Sequence, residues 1–372
     1  MAIPQKLKYA RERAGLTGAQ VKERTGIGPS SLSEFERGKR EPRLSQLQAM
    51  ARAYRRSVAF FLSDEPMPRE VVLWRERPAE AAEEVEAGFL RLCEQYHNLE
   101  VWCADNVSSR LPDAQGTAEQ FDYPAAKALA LRVRGELQLG DRPGHELLRV
   151  LEEFCGVKVF HLEFEPTGTA ACARNDSFGD AILLNASNVR WRRNFDLAHE
   201  LFHLLTWRIF RSEADASPCV APEREESLAT CFAHNVLMPA EATRSAIDSR
   251  ARGGKVPFEA LFDVARQFDV SVEALLWKMH FLYNRGPDRQ EETRLAIQTA
   301  RALAPLLEER EREDTKPPRR PDRYRALAVK ALRRGEISTG RFADYLGISR
   351  QEAMAYVERE TEDDEEVQIA PV

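Results

Sequence analysis

Apolar positions recur every three or four residues along most of the chain, so the pattern predicts helices almost throughout. Leu7, Ala10 and Ala14 form a first stripe, stopped at Gly15. Thr17 caps a second helix around Val21, which ends at Gly26. A third covers 29–37 with Leu32 and Phe35 inward and Gly38 as its stop, and a fourth covers 44–54 on Leu47, Met50 and Ala51. Residues 63–78, with Pro66, Pro68 and Pro78, read as an irregular connector. One long helix follows over 79–105, with Phe89, Leu92, Cys93, Tyr96 and Leu99 on one face.

Beyond a polar connector at 106–121 the periodicity mixes types. Helices at about 123–138 and 144–155 lead to a strand at 157–162 and short strands near 169–173 and 181–185. Helices return at 191–206, 223–237, 257–268 and 271–283. The expected fold is mainly α and multidomain: a five-helix unit over 1–65, a connector over 66–121, and a central α+β domain with a small sheet over 122–285. A helix and charged linker follow over 286–321, then a small helical unit at 322–360 and an acidic tail at 361–372, with the acidic run Glu358–Glu366 expected to be disordered.

Charge divides the chain more sharply than composition does. With 43% hydrophobic and 31% charged residues, the composition is that of an ordinary core-forming chain. Residues 1–62 hold 13 Lys/Arg against 5 Asp/Glu and so carry +8, leaving −14 for the rest of a chain whose total is −6. A basic module on an acidic body suits a phosphate-contacting domain joined to one with another task. No stretch approaches the roughly 18 apolar residues of a membrane helix, and charges interrupt the N-terminus where a signal peptide would be apolar. Cys93, Cys103, Cys155, Cys172, Cys219 and Cys231 form no CxxC pair, which fits reduced thiols and a cytoplasmic location.

The chemistry is concentrated in FDLAHELFHLLTW, which contains His199-Glu200-Leu201-Phe202-His203. Helical positions i and i+4 lie about 40° apart, so both imidazoles leave one face and can share a Zn²⁺ ion. Glu200 is placed as a base, taking a proton from the attacking water and passing it to a leaving amine. The competing reading is a pair of core histidines bonded to backbone. A third ligand is sought on the next helix, where Leu228, Ala229, Phe232 and Ala233 mark the inward face. Glu226 sits three and seven residues before Ala229 and Ala233, and Glu223, one turn earlier, competes with it. Glu225 is turned about 100° away from Glu226 and reads as water-facing.

HELFH preceded by RRNFDLA, then ExxAxxFAxxVLMP, resembles the ImmA/IrrE family of zinc metallopeptidases over about 122–285. The resemblance implies a zincin-like fold, His199, His203 and Glu226 as zinc ligands, and Glu200 as general base. Phe202 stands where the family's HELGH has Gly, and Thr230 where an Asn or Asp usually follows the Ala.

Residues 7–62, through Leu16-Thr17, Thr25-Gly26-Ile27 and the run Ser33 to Pro42, resemble the Xre/lambda-repressor helix-turn-helix. That resemblance implies that the third helix enters the major groove of double-stranded DNA with Pro29, Ser30, Ser31 and Glu34 towards the bases. Arg37, Lys39, Arg40 and Arg43 then suit phosphates, and Gln20 stands two places after the position where the family often has Gln. Residues 324–357 look like a second small helix-turn-helix or winged element, suited to packing or dimerisation rather than to DNA.

The combined expectation is a cytoplasmic, nucleoid-associated DNA-binding regulator with a zinc endopeptidase domain that cuts a repressor-like protein, with a homodimer among its expected assemblies. A ligand-sensing regulator, or an antitoxin-like interaction protein using the same fold without turnover, is the alternative. Intact Glu200 favours hydrolysis, because sensing alone has no need of it.

Overall fold

The computed structural model describes residues 3–14, 16–54, 58–62, 72–78, 82–105, 110–166, 169–175, 178–212, 217–283, 286, 289–303, 316–318 and 320–362. The expected stop at Gly15, Pro66 and Pro68, most of the charged linker and the tail beyond 362 lie outside them. Among the described residues no helix is long and apolar enough to cross a membrane.

The N-terminal unit comprises α1 (Ile3–Arg13), α2 (Gly18–Thr25), α3 (Pro29–Glu36), α4 (Leu44–Tyr54) and α5 (Val58–Leu62). Thr17 and Gln20 close a capping box at the start of α2, and Gly26 ends it with φ 73°, a left-handed conformation that costs glycine little. The stripes close one core on Leu7, Val21, Leu32, Phe35, Leu47, Met50 and Phe61.

The second body is built around four strands: β1 (Val72–Trp74), β2 (Lys158–Leu162), β3 (Ala170–Asn175) and β4 (Gly179–Asn185), in the order β1-β3-β4-β2. β3 runs antiparallel to both β1 and β4, while β2 and β4 are parallel. Both faces of the sheet are covered, and residue parity sorts them. Val159, Ala170, Cys172, Ile182 and Leu184 point to one core, and Phe160, Ala171, Ala173, Ala181 and Leu183 to the other.

The first core is filled by α7 (Tyr123–Glu136), α8 (Pro143–Arg149, extended by a π turn at Val150–Phe154), α9 (Arg190–Leu205) and α11 (Pro222–Leu237). Around them pack α12 (Ala240–Asp248), α13 (Phe258–Phe268), α14 (Val272–Leu282) and α15 (Gln290–Leu303), with the short α10 (Trp207–Phe210) after α9. The second core joins the sheet to α6 (Ala82–Trp102) and to α16 (Asp322–Arg333), α17 (Thr339–Leu346) and α18 (Arg350–Glu362).

One reading changes here. Val72–Trp74, expected within an irregular connector, is an edge strand paired with Ala171–Ala173. The 322–360 unit, read as suited to packing or dimerisation, shares a core with α6 and the sheet through Tyr324, Phe342 and Tyr345. A buried charge cluster fastens the same layers: Glu100 of α6 meets Lys158 of β2 at 2.9 Å and Arg323 of α16 at 2.5 Å.

Candidate metal centre

α9 carries both histidines because its buried face faces β3, β4 and α11, and the register places His199, His203 and Glu200 inward. Their exposures are 0%, 4% and 1%. Buried polar groups need partners, and those partners decide the local chemistry. His199 Nε2 lies 2.9 Å from Glu226 Oε2, and His203 Nε2 lies 3.3 Å from Glu226 Oε1. These three side chains are the described group whose ligand atoms all fall within 4.8 Å of one another.

The donor set fits zinc. In a tetrahedral site with bonds of about 2.0–2.1 Å, neighbouring ligand atoms stand about 3.3 Å apart, close to the separations seen. Two imidazoles and one carboxylate also leave the fourth position open, as in hydrolytic rather than structural sites. Glu226 is 34% exposed, so it reaches this centre from the solvent side of α11. Glu223, its competitor by register, is exposed and outside the group.

Electrostatics support the same grouping. Burial pushes the His199 pKa down to about 4. Burial also opposes charge on His203, but hydrogen bonds with Glu225 and Glu226 outweigh it and hold that pKa near 10. Glu226 is depressed: burial works against its charge, and the hydrogen bonds with the two imidazoles prevail. The centre thus already stabilises positive charge between imidazole and carboxylate, a place a dication can take by displacing a proton. Glu200 is different. No N–H or O–H donor of the described residues engages either of its carboxylate oxygens, the Cys172 thiol lies beside it, and burial raises its pKa to about 7.

Glu225 corrects the sequence reading. Expected in water, it is 3% exposed and accepts from His203 Nδ1 at 2.8 Å. Arg211 then closes on it with Nη1 at 2.6 Å and Nη2 at 3.0 Å. The carboxylate orients the His203 ring and leaves Nε2 free for the centre. Its own register carried the signal, since Leu228, Ala229 and Phe232 follow it at i+3, i+4 and i+7 on the buried face. Removing this partner, as in Glu225→Ala, is expected to weaken zinc binding about 10- to 100-fold. Zinc competition with a chelating dye checks this, and unchanged affinity would contradict it.

Phe202 occupies the place of the smaller residue in the related motif, and an aromatic cluster accommodates it. Its ring meets Phe121 at 5.9 Å, Phe210 at 6.0 Å and Phe232 at 5.6 Å, and packs edge-on against His203.

In the N-terminal unit the candidate DNA contacts gather at the start and end of α3. Pro29 and Ser30 are exposed and Ser31 is half-buried. Gly28 caps α3 without a side-chain bond, so backbone N–H groups are left for an anion. Arg37 and Lys39 are exposed beyond the helix. Glu34 and Arg40 stand 3.8 Å apart, so each moderates the other's charge. Gln20 spends its side-chain oxygen on Thr17 in the capping box, which leaves its amide NH₂ group for an outside acceptor.

Comparison with known proteins agrees with both halves. Residues 7–61 match a helix-turn-helix family, and residues 153–280 match an IrrE N-terminal-like peptidase domain. The chain is 30% identical over 70 residues to the HTH-type transcriptional regulator ImmR of Bacillus subtilis (strain 168), an alignment covering 19% of this chain and 55% of that relative. The match therefore spans about half the length of that relative. The polypeptide carries an Xre-type helix-turn-helix at its N-terminus and, in its central region, a domain of the IrrE N-terminal-like type.

Proposed function

We propose that this chain is a cytoplasmic, nucleoid-associated regulator that binds double-stranded DNA and cuts a repressor-like helix-turn-helix protein in a stress, phage or mobile-element response. The observation carrying the hydrolytic part is the convergence of His199, His203 and Glu226 beside Glu200, a buried carboxylate that no N–H or O–H donor of the described residues engages. His199 and His203 would hold zinc through Nε2, and Glu226 through its carboxylate. When bound, that ion polarises the scissile carbonyl and makes the attacking water more acidic. Glu200 takes the water's proton while the water oxygen bonds to the carbonyl carbon. The C–N bond then breaks, and Glu200 returns the proton to the leaving amine. Glu225 and Arg211 keep the His203 ring in register through this sequence.

Similarity to a protein named a transcriptional regulator supports the DNA-binding half. The test of the whole reading is cleavage of repressors encoded beside the gene by the zinc-loaded chain. A single cut that a chelator abolishes is expected, and intact repressor under all conditions would overturn the reading.

DNA binding should fall steeply with salt, because the +8 module displaces counterions from phosphate. Arg37→Ala is expected to weaken binding to every sequence similarly and to lower the salt slope by about 1, whereas Ser31→Ala should act on sequence preference. Fluorescence anisotropy at several salt concentrations measures both. Salt-independent binding would point to a module used for protein contact.

A further inference from the structure

Arg75 follows β1 directly and lies outside residues 153–280, the stretch matched as the IrrE N-terminal-like domain. It nevertheless lines a cleft of about 90 Å³ together with Glu200, His203 and Glu226. A carbonyl oxygen turning into an oxyanion there needs donors aimed at it. Side-chain donors around the cleft are few, and most are committed. Trp74 gives its Nε1–H to Glu86 at 2.7 Å. Arg211 uses both terminal nitrogens on Glu225 and on the Phe210 carbonyl, and only its Nε, itself fully buried, has no acceptor among the described residues. His203 spans Glu225 and Glu226.

Arg75 is held but not exhausted. Its Nη1 donates to Asp196 Oδ1 at 3.1 Å, and its other guanidinium nitrogens have no hydrogen bond among the described residues. The guanidinium sits 5.5 Å from the centroid of Phe195 and stays 26% exposed. Asp196, fully buried, is fixed in turn by Asn188 at 3.1 Å and Arg192 at 3.0 Å. Because Asp196 precedes His199 by one helical turn, α9 positions the donor as well as the two imidazoles.

Resting on the proposed hydrolysis, we infer that Arg75 is a catalytic residue whose guanidinium donates to the scissile carbonyl oxygen as negative charge grows there. The water oxygen bonds to the carbonyl carbon, its proton passes to Glu200, and the carbonyl π pair moves onto the oxygen facing Arg75. That pair returns as the C–N bond breaks. The segment that leads from the DNA-binding unit thus supplies a working part of the hydrolytic site.

Inorganic phosphate, a tetrahedral oxyanion, tests this on the cobalt-loaded full chain, read from the cobalt absorption spectrum. Arg75→Gln should take up cobalt normally and need about tenfold more phosphate, or beyond, for the same spectral shift. Arg75→Lys, which keeps the charge, should fall between. Acetohydroxamate, a chelator of the metal itself, should bind all three chains alike. On a cleaved repressor, Arg75→Gln should lower kcat by about 10²-fold and leave KM nearly unchanged. Phosphate binding that ignores Arg75, or no phosphate shift in the wild type, overturns this inference alone. A wild-type chain that takes up no cobalt overturns the metal centre and the inference with it.

Discussion

Glu200→Gln should leave zinc bound and reduce hydrolysis by about a hundred- to ten-thousand-fold. The glutamine amide has nearly the shape of the carboxylate, so the buried site keeps its packing. It cannot accept the water's proton, and nothing adjacent replaces it. His203 already bridges two carboxylates, and Glu226 is engaged by both imidazoles. Glu200 is the carboxylate at this centre that no N–H or O–H donor of the described residues engages. Turnover of a verified substrate by this variant at the wild-type rate would remove Glu200 from the chemistry.

The second large effect is on stability. Glu100 is 4% exposed and faces two cations, Lys158 at 2.9 Å and Arg323 at 2.5 Å. Both cations also lie against the Tyr96 ring, at 5.2 Å and 5.6 Å from its centroid. Glu100→Ala strands the buried Lys158 ammonium, and breaking such a pair costs about 3–5 kcal/mol. Arg323 retains Asp105, so most of the loss falls on Lys158. Urea unfolding should show the penalty. Replacing Glu100 and Lys158 together with methionine should recover most of it, because no unpaired charge then stays buried. A single variant within 1 kcal/mol of wild type, roughly the level of a surface pair, would show that this cluster does not hold α6, β2 and α16 together.

Much of this was legible from local pattern. Helical stripes such as Leu32/Phe35 and Leu47/Met50 place their elements, because burial and periodicity agree there. The Thr17–Gln20 capping box and the Gly26 stop likewise depend on residues within one turn. What escaped depends on partners distant in sequence. Val72–Trp74 is too short for its alternation to register, and its strand character comes from β3, about a hundred residues away. Glu225 read as a solvated charge although its register shares the buried face of Leu228, Ala229 and Phe232, because the helix alone does not place the partners His203 and Arg211 that let a carboxylate be buried there. Arg75 had no motif at all, and only the fold brings it to Asp196 and the cleft. The short strands β2, β3 and β4 were placed from the sequence, but not that a C-terminal unit would cover one face of the sheet.

The central claim is that His199, His203 and Glu226 hold one zinc ion that serves hydrolysis at Glu200. Zinc content per chain, measured by elemental analysis on the purified full-length protein and two variants, tests it most directly. The account predicts one equivalent in the wild type, one in Glu200→Gln, and almost none in His203→Ala. A full equivalent retained by His203→Ala would contradict it, since the ion would then be held by another set of ligands.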